Sequence, residues 1–92
     1  MPYKLLYSET SMKQIRKLHP QIKPIVKSKI ENLQENPFAG KGLEKELSGY
    51  LSMRAKRFRI IYKIRGNDQA VEIHYVGPRK DIYELFKEAI AK

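Results

Sequence analysis

The residues of this chain best suited to chemistry are its cations and tyrosines. The stretch "RAKRFRIIYKIRG", residues 54–66, holds six basic side chains (Arg54, Lys56, Arg57, Arg59, Lys63, Arg65) and no acid. Farther on, "GPRKDIY" adds Arg79, Lys80 and Tyr83. Arginine presents a planar fork of donors that fits two phosphate oxygens at once, and it stays protonated. Such groups hold a polyanion and stabilise charge building on a phosphoryl group, but they are poor bases. Tyrosine adds a hydroxyl that can orient a partner or move a proton. Any one of these arginines, taken alone, reads as a solvated strand residue. Six cations without an acid are harder to explain that way, because like charges on neighbouring strands repel.

Other chemistries are poorly served. Cysteine is absent, and the two histidines, His19 and His74, stand in different kinds of element without metal-ligand spacing. His19, before Pro20, reads as a helix-boundary residue, whereas His74 shares the basic face and joins the phosphate-binding candidates. "GKGLEKELSG" lacks the spacing of a phosphate-cradling loop. No metal and no cofactor are expected.

The elements that must position these residues follow from periodicity. "YKLLYS" (3–8) reads as an opening strand. Met12, Ile15 and Leu18 recur at helical spacing, with Ser8 or Ser11 available as the cap. Pro20 interrupts, and Ile22, Ile25, Val26, Ile30 and Leu33 form the stripe of a second helix that starts near residue 23. Residues 36–49 hold three of the five glycines and read as a loop. The period then changes to two. Phe58, Ile60, Tyr62 and Ile64 are apolar, while Arg57, Arg59, Lys63 and Arg65 alternate with them, and only Ile61 breaks the pattern. Residues 51–55 form the preceding strand, joined by a tight turn around Lys56. "GNDQ" (66–69) is a hairpin turn in which Gly66 and Asn67 take positive φ cheaply. Residues 70–76 return with Val71, Ile73 and Tyr75 on one face. "DIYELFKEAIAK" closes the chain as a helix capped by Asp81, with Ile82, Leu85, Phe86, Ala89 and Ile90 as its apolar stripe.

This β-α-α-β-β-β-α order predicts a single α+β domain over 1–92, a small antiparallel sheet with a helical hairpin packed on one face. The helices would all bury their stripes there, leaving the other face for water or a ligand. Alternation assigns Arg57, Arg59, Ile61, Lys63 and Arg65 to that open face, with Glu72 and His74 from the return strand and, by parity, Ser52 and Arg54.

Ninety-two residues with a hydrophobic fraction of 41% suffice for one modest core. No apolar run approaches the ~20 residues of a membrane span, and the start is no signal peptide, so a cytoplasmic protein without a membrane partner is expected. Nineteen Lys and Arg against ten Asp and Glu give a net charge of +9, which favours nucleic acid or an acidic protein as partner.

At the basic stretch the sequence resembles a known family. "LEKELSGYLSMRAKRFRIIYKI" and "VEIHYVGPRKDIYE" are similar to the RelE/ParE superfamily of bacterial and archaeal toxins. There, Leu–x–Gly leads into Arg–x–x–x–(Tyr/Phe)–Arg–(hydrophobic)₂–Tyr, and a final strand ends in Val/Ile–Gly–x–Arg–x–x–x–Tyr. Here these read Leu47–Ser48–Gly49, then Arg54, Phe58, Arg59, Ile60, Ile61 and Tyr62, then Val76, Gly77, Arg79 and Tyr83. "ENPFAG" resembles the family's loop after the helical hairpin.

The resemblance implies the toxin component of a toxin–antitoxin system, held by a cognate antitoxin in a hetero-oligomer. RelE-type members are ribosome-dependent endoribonucleases that cut mRNA, whereas ParE-type members poison DNA gyrase. A non-catalytic domain that binds nucleic acid or antitoxin is the remaining alternative, and the ribonuclease reading is favoured. Carried over, Arg59 and Arg79 would grip the scissile phosphate, Arg54 would support it, and Tyr83 would orient or deprotonate the 2′-hydroxyl. Lys56, Arg57, Lys80 and His74 would bind RNA phosphates. In one respect the chain departs from RelE, which places two lysines on the preceding strand where Tyr50 and Ser52 stand here. Lys56, Arg57 or His74 would have to substitute for them.

Overall fold

Two-residue alternation in the middle of the chain produces a meander of strands. In a computed structural model, which describes residues 2–78 and 81–91, these are β2 (Lys41–Gly42), β3 (Tyr50–Ala55), β4 (Phe58–Arg65) and β5 (Ala70–Pro78). β1 (Lys4–Tyr7), α1 (Glu9–Arg16) and α2 (Lys23–Asn32) precede them, and α3 (Ile82–Ile90) follows. The five strands lie in the order β1-β5-β4-β3-β2. Short turns force β2 through β5 to run antiparallel, while β1 joins the outer edge of β5 in parallel. The α+β class stands, but the sheet is mixed rather than wholly antiparallel. Residue pattern marks a strand without giving the direction of a distant pairing.

The turns differ in detail from the sequence reading. The β3–β4 hairpin closes on two residues, Lys56 and Arg57, with Lys56 at φ 60°. Arg57 therefore sits in the turn and not on the strand face. Between β4 and β5 the positive φ falls on Gln69, at 49°, rather than on Gly66 or Asn67. The expected loop over 36–49 contains β2 and two short 3₁₀ turns, Pro37–Ala39 and Lys45–Leu47.

The core lies on both faces of the sheet. Phe58, Ile60, Tyr62 and Ile64 of β4 meet Val71, Ile73 and Val76 of β5 and the hairpin residues Ile15, Val26, Ile30 and Leu33. On the opposite face Ile61, Leu47, Ile82 and Phe86 form a second cluster, with Tyr50, Tyr75 and Tyr83 packed against it. The single-sided arrangement is thus corrected: α3 covers part of the face expected to be open. Ile61 is the signal, an apolar residue among the cations because α3 sits on it. The stripe of α3 is only half used, since Ile82 and Phe86 are buried while Leu85 and Ile90 stay exposed.

A register shift between Ile61 and Tyr62 explains a further difference. Ile61 pairs with Tyr75 and Tyr62 with Ile73, so His74 is an extra residue on β5. This bulge moves Tyr75 off the face of Val71 and Ile73 and onto the α3 face.

β1 pairs with β5 only as far as Ile73, and α1 takes over the exposed edge beyond it. Ser8 caps α1 by accepting from the Ser11 N–H at 3.0 Å, and its hydroxyl donates to the His74 carbonyl at 3.0 Å. Ser11 Oγ donates to the Ile73 carbonyl at 2.9 Å, and Gln14 Oε1 accepts from the Val76 N–H at 2.7 Å. The bulge and the strand end beyond it are thus held by the first two turns of one helix.

The loop after α2 is fixed by one buried phenol. Tyr62 Oη donates to the Pro37 carbonyl at 2.8 Å and accepts from the Gly40 N–H at 2.9 Å. Burial pushes the Tyr62 phenol up, against the lowering effect of the Gly40 N–H, so it remains a protonated donor. A Cβ on Gly40 would lie 2.8 Å from the Ser52 carbonyl and closer still to Tyr62 Oη. Glycine is needed here for close approach, not for an unusual φ. Tyr62→Phe should cost about 1–3 kcal/mol through two orphaned backbone groups, read as a lower urea midpoint with unchanged slope. Gly40→Ala should lower the midpoint by the same route, and wild-type midpoints for both variants would contradict this anchoring.

Candidate phosphate site

β3 and β4 pair without a register shift, so parity holds across the hairpin. Arg54 stands directly opposite Arg59, and Ser52 opposite Ile61. On its other flank Arg59 faces Gly77 of β5, which adds no side chain beside the guanidinium. Among the described residues no carboxylate lies within ion-pair distance of Arg54 or Arg59. Two like charges on facing strands, uncompensated by an acid, leave an anion-shaped demand at this end of the hairpin.

Tyr83 arrives from α3. Asp81 takes a left-handed conformation at φ 63° and makes no side-chain cap, contrary to the role expected of it. That residue turns the chain sharply after β5, and the burial of Ile82 and Phe86 then fixes the helix over the sheet. Tyr83 consequently lies two strands away from the end of β5, over β3. Its Oη is 3.1 Å from Ser52 Oγ, which in turn accepts from Arg59 Nη1 at 3.2 Å. Ser52 is 2% exposed, whereas Arg59 and Tyr83 are each part-exposed. Arg54 donates through Nε to the Lys56 carbonyl at 3.2 Å, which aligns it along the hairpin end.

The structure therefore brings together Arg54, Arg59 and Tyr83, and it adds Ser52, which the sequence placed on this face by parity but gave no role. The signal for Ser52 was its parity with Arg54 and Arg59. Lys56 and Arg57 lie in the exposed turn next to Arg54 and Arg59 rather than on the face itself. Arg79 and Lys80 lie outside the described residues.

His74 engages a different set of partners. Its Nε2 is 3.0 Å from Glu72 Oε1, and its ring meets Tyr50 edge-on at 5.3 Å and Phe86 at 6.4 Å. Phe86 also packs edge-on against Tyr50 at 5.0 Å. The other Glu72 oxygen accepts from Arg65 Nη1 at 3.1 Å, and Arg65 also pairs with Asp68. Lys63 lies 5.5 Å above the Tyr50 ring. These groups form a surface charge network around the aromatic cluster that Tyr83 also packs against, but none of them bonds Ser52 or Tyr83 among the described residues. No group of three metal-ligating side chains occurs among the described residues.

With this geometry in hand, likeness to known proteins becomes informative. Residues 5–83 match the model of the ParE toxin of type II toxin–antitoxin systems. The chain is 34% identical over 85 residues to Toxin RelG of Mycobacterium tuberculosis, across 90% of this chain and 98% of that toxin. This chain belongs to the RelE/ParE toxin superfamily. Its fold matches the RelBE2 toxin–antitoxin complex of M. tuberculosis with a TM-score of 0.80 at 31% identity, over 88% of this chain and 95% of that one. A mutant of the E. coli toxin RelE in the free state shares the fold with a TM-score of 0.78 at 22% identity, over 99% and 97% of the two chains. Among the described residues no helix is long and apolar enough to cross a membrane.

Within this RelE/ParE fold the Glu72 network has its own measurable signature. Burial alone would push the Glu72 carboxyl up, but His74 and then Arg65 more than offset it and hold it below 4.5. A carboxyl depressed by folding stabilises the fold fully above its unfolded pKa and loses that contribution as pH falls. Glu72→Gln should therefore cost about 0.5–1 kcal/mol at pH 7 and distinctly less at pH 3, read from urea midpoints at the two pH values. An equal gap at both would contradict the assignment.

Proposed function

We propose that this chain is the toxin of a toxin–antitoxin pair and acts as an endoribonuclease on ribosome-bound mRNA. The observation that carries the reading is the grouping of Arg54, Arg59, Ser52 and Tyr83, with no acid paired to either arginine among the described residues. RNA cleavage by transesterification needs little else: a 2′-oxygen attacks the adjacent phosphate, charge grows on the phosphoryl oxygens, and the 5′-oxygen leaves with a proton. Arg59 grips the phosphate and stabilises that charge, with Arg54 opposite it in support. Arg79, placed by the family motif just beyond Gly77, supplies the second grip. Tyr83 supplies the hydroxyl for proton transfer. Lys56 and Arg57 border this set and, together with Lys80, steer the RNA backbone.

The net charge of +9 supports both partners, the ribosome with its mRNA and an acidic antitoxin. Relatives solved as toxin–antitoxin complexes support a hetero-oligomer with the antitoxin. His74 is left out of the RNA-binding set, because Glu72 and the aromatic rings occupy its surroundings. The ParE-type family match favours one second reading, inhibition of DNA gyrase, on the same scaffold.

Induced expression without antitoxin should stop growth with cleaved mRNA on ribosomes. Arg59→Ala and Tyr83→Phe should each slow cleavage by about 100-fold or more and restore growth. Growth arrest that persists in both variants, with intact mRNA and covalent gyrase–DNA complexes, would transfer the assignment to the second reading.

A further inference from the structure

The direction of the hydrogen bonds around Ser52 specifies which proton transfer Tyr83 performs. Arginine can only donate, so the 3.2 Å bond from Arg59 Nη1 occupies a lone pair of Ser52 Oγ. Ser52 has one proton of its own. At 2% exposure that proton needs an acceptor, since an unsatisfied buried hydroxyl is costly. The only side-chain oxygen bonded to it among the described residues is Tyr83 Oη, at 3.1 Å, and no buried side-chain polar atom there is left unpartnered. Were Tyr83 to donate to Ser52 instead, the serine proton would have no side-chain acceptor among the described residues. A hydroxyl that accepts from a cation is also polarised into a better donor and a poorer acceptor. The chain of donation therefore runs from Arg59 to Ser52 to Tyr83.

With its lone pair engaged from below by Ser52, Tyr83 keeps its own O–H free to point out of the site from a part-exposed position. We infer that Ser52 is a positioning residue that turns Tyr83 into the general acid of the cleavage, a role that rests on the ribonuclease reading above. In the step itself the P–O5′ bond breaks, its electron pair stays on the 5′-oxygen, and that oxygen takes the phenolic proton. The oxygen left on Tyr83 goes on accepting from Ser52, whose own charge partner is Arg59. The proton of the attacking 2′-hydroxyl passes to water, and water returns one to Tyr83. Serine at this position thus does more than mark the loss of a lysine. It links the phosphate-gripping arginine to the acid.

The test uses ribosomes programmed with an mRNA carrying one bridging 5′-phosphorothiolate at the position the wild type cuts. Sulfur leaves without a proton, so it removes the need for an acid. On the all-oxygen mRNA, Tyr83→Phe should lose about 100-fold or more, Ser52→Ala about 10-fold, and Ser52→Thr, which keeps the hydroxyl, under about 3-fold. On the sulfur mRNA, Tyr83→Phe and Ser52→Ala should both cut within about 3-fold of wild type. If Tyr83→Phe keeps its full deficit on sulfur, Tyr83 serves the 2′-hydroxyl and the inference is overturned. If Tyr83→Phe is rescued while Ser52→Ala is not, the role given to Ser52 is overturned and Tyr83 remains the acid. A wild type that cuts neither mRNA would sink the ribonuclease reading itself, a result distinct from both.

Discussion

Two arginines paired across an antiparallel hairpin, with no acid bonded to either among the described residues, are the constraint on which this structure turns. The β3–β4 register puts Arg54 opposite Arg59, and nothing among the described residues neutralises either one. Such a pair costs stability in the unliganded protein and is relieved when a phosphate sits between or above them. The rest of the molecule holds that arrangement in place. The helical hairpin fills one face of the sheet, so β4 cannot shift by a residue without turning its apolar side outward. α3 fills part of the other face and brings Tyr83 to the same spot.

One helix and one bulge tie the two faces together. The side chains of Ser8, Ser11 and Gln14 bond to β5 where β1 has ended, so the strand keeps its course past His74. The extra residue there turns Tyr75 under α3, where it packs 5.6 Å from Phe86. Without the bulge Tyr75 would point into the hairpin core, and α3 would lose one of the rings that seat it. The position of Tyr83 thus depends on contacts made on the far side of the sheet.

Much of this was legible in the sequence because it depends on short-range periodicity. Alternation from Phe58 to Ile64 marked the core side of β4, and unbroken parity into β3 placed Ser52 and Arg54 with Arg59. Ile61 carried the sign of α3, since an apolar residue on a basic face announces a second covering layer. The direction of β1 was not legible, since pairing across most of the chain leaves no local mark. The bulge at His74 was hidden because the residues around it fit plain alternation equally well. It put Tyr75 on the other face and hid the contacts that His74 makes with Glu72 and Tyr50. Asp81 looked like a helix cap by type, yet its left-handed backbone serves the turn that returns α3 to the sheet.

The chemistry of the cut ends tests the central claim most directly. Transesterification through a 2′-oxygen, with the phosphate gripped by Arg59 and its partners, leaves a 2′,3′-cyclic phosphate upstream and a 5′-hydroxyl downstream. Messenger RNA recovered from ribosomes after induction of this chain should carry those ends at its new termini. Ends bearing a 5′-phosphate and a 3′-hydroxyl, or mRNA that remains intact while growth stops, would contradict the account.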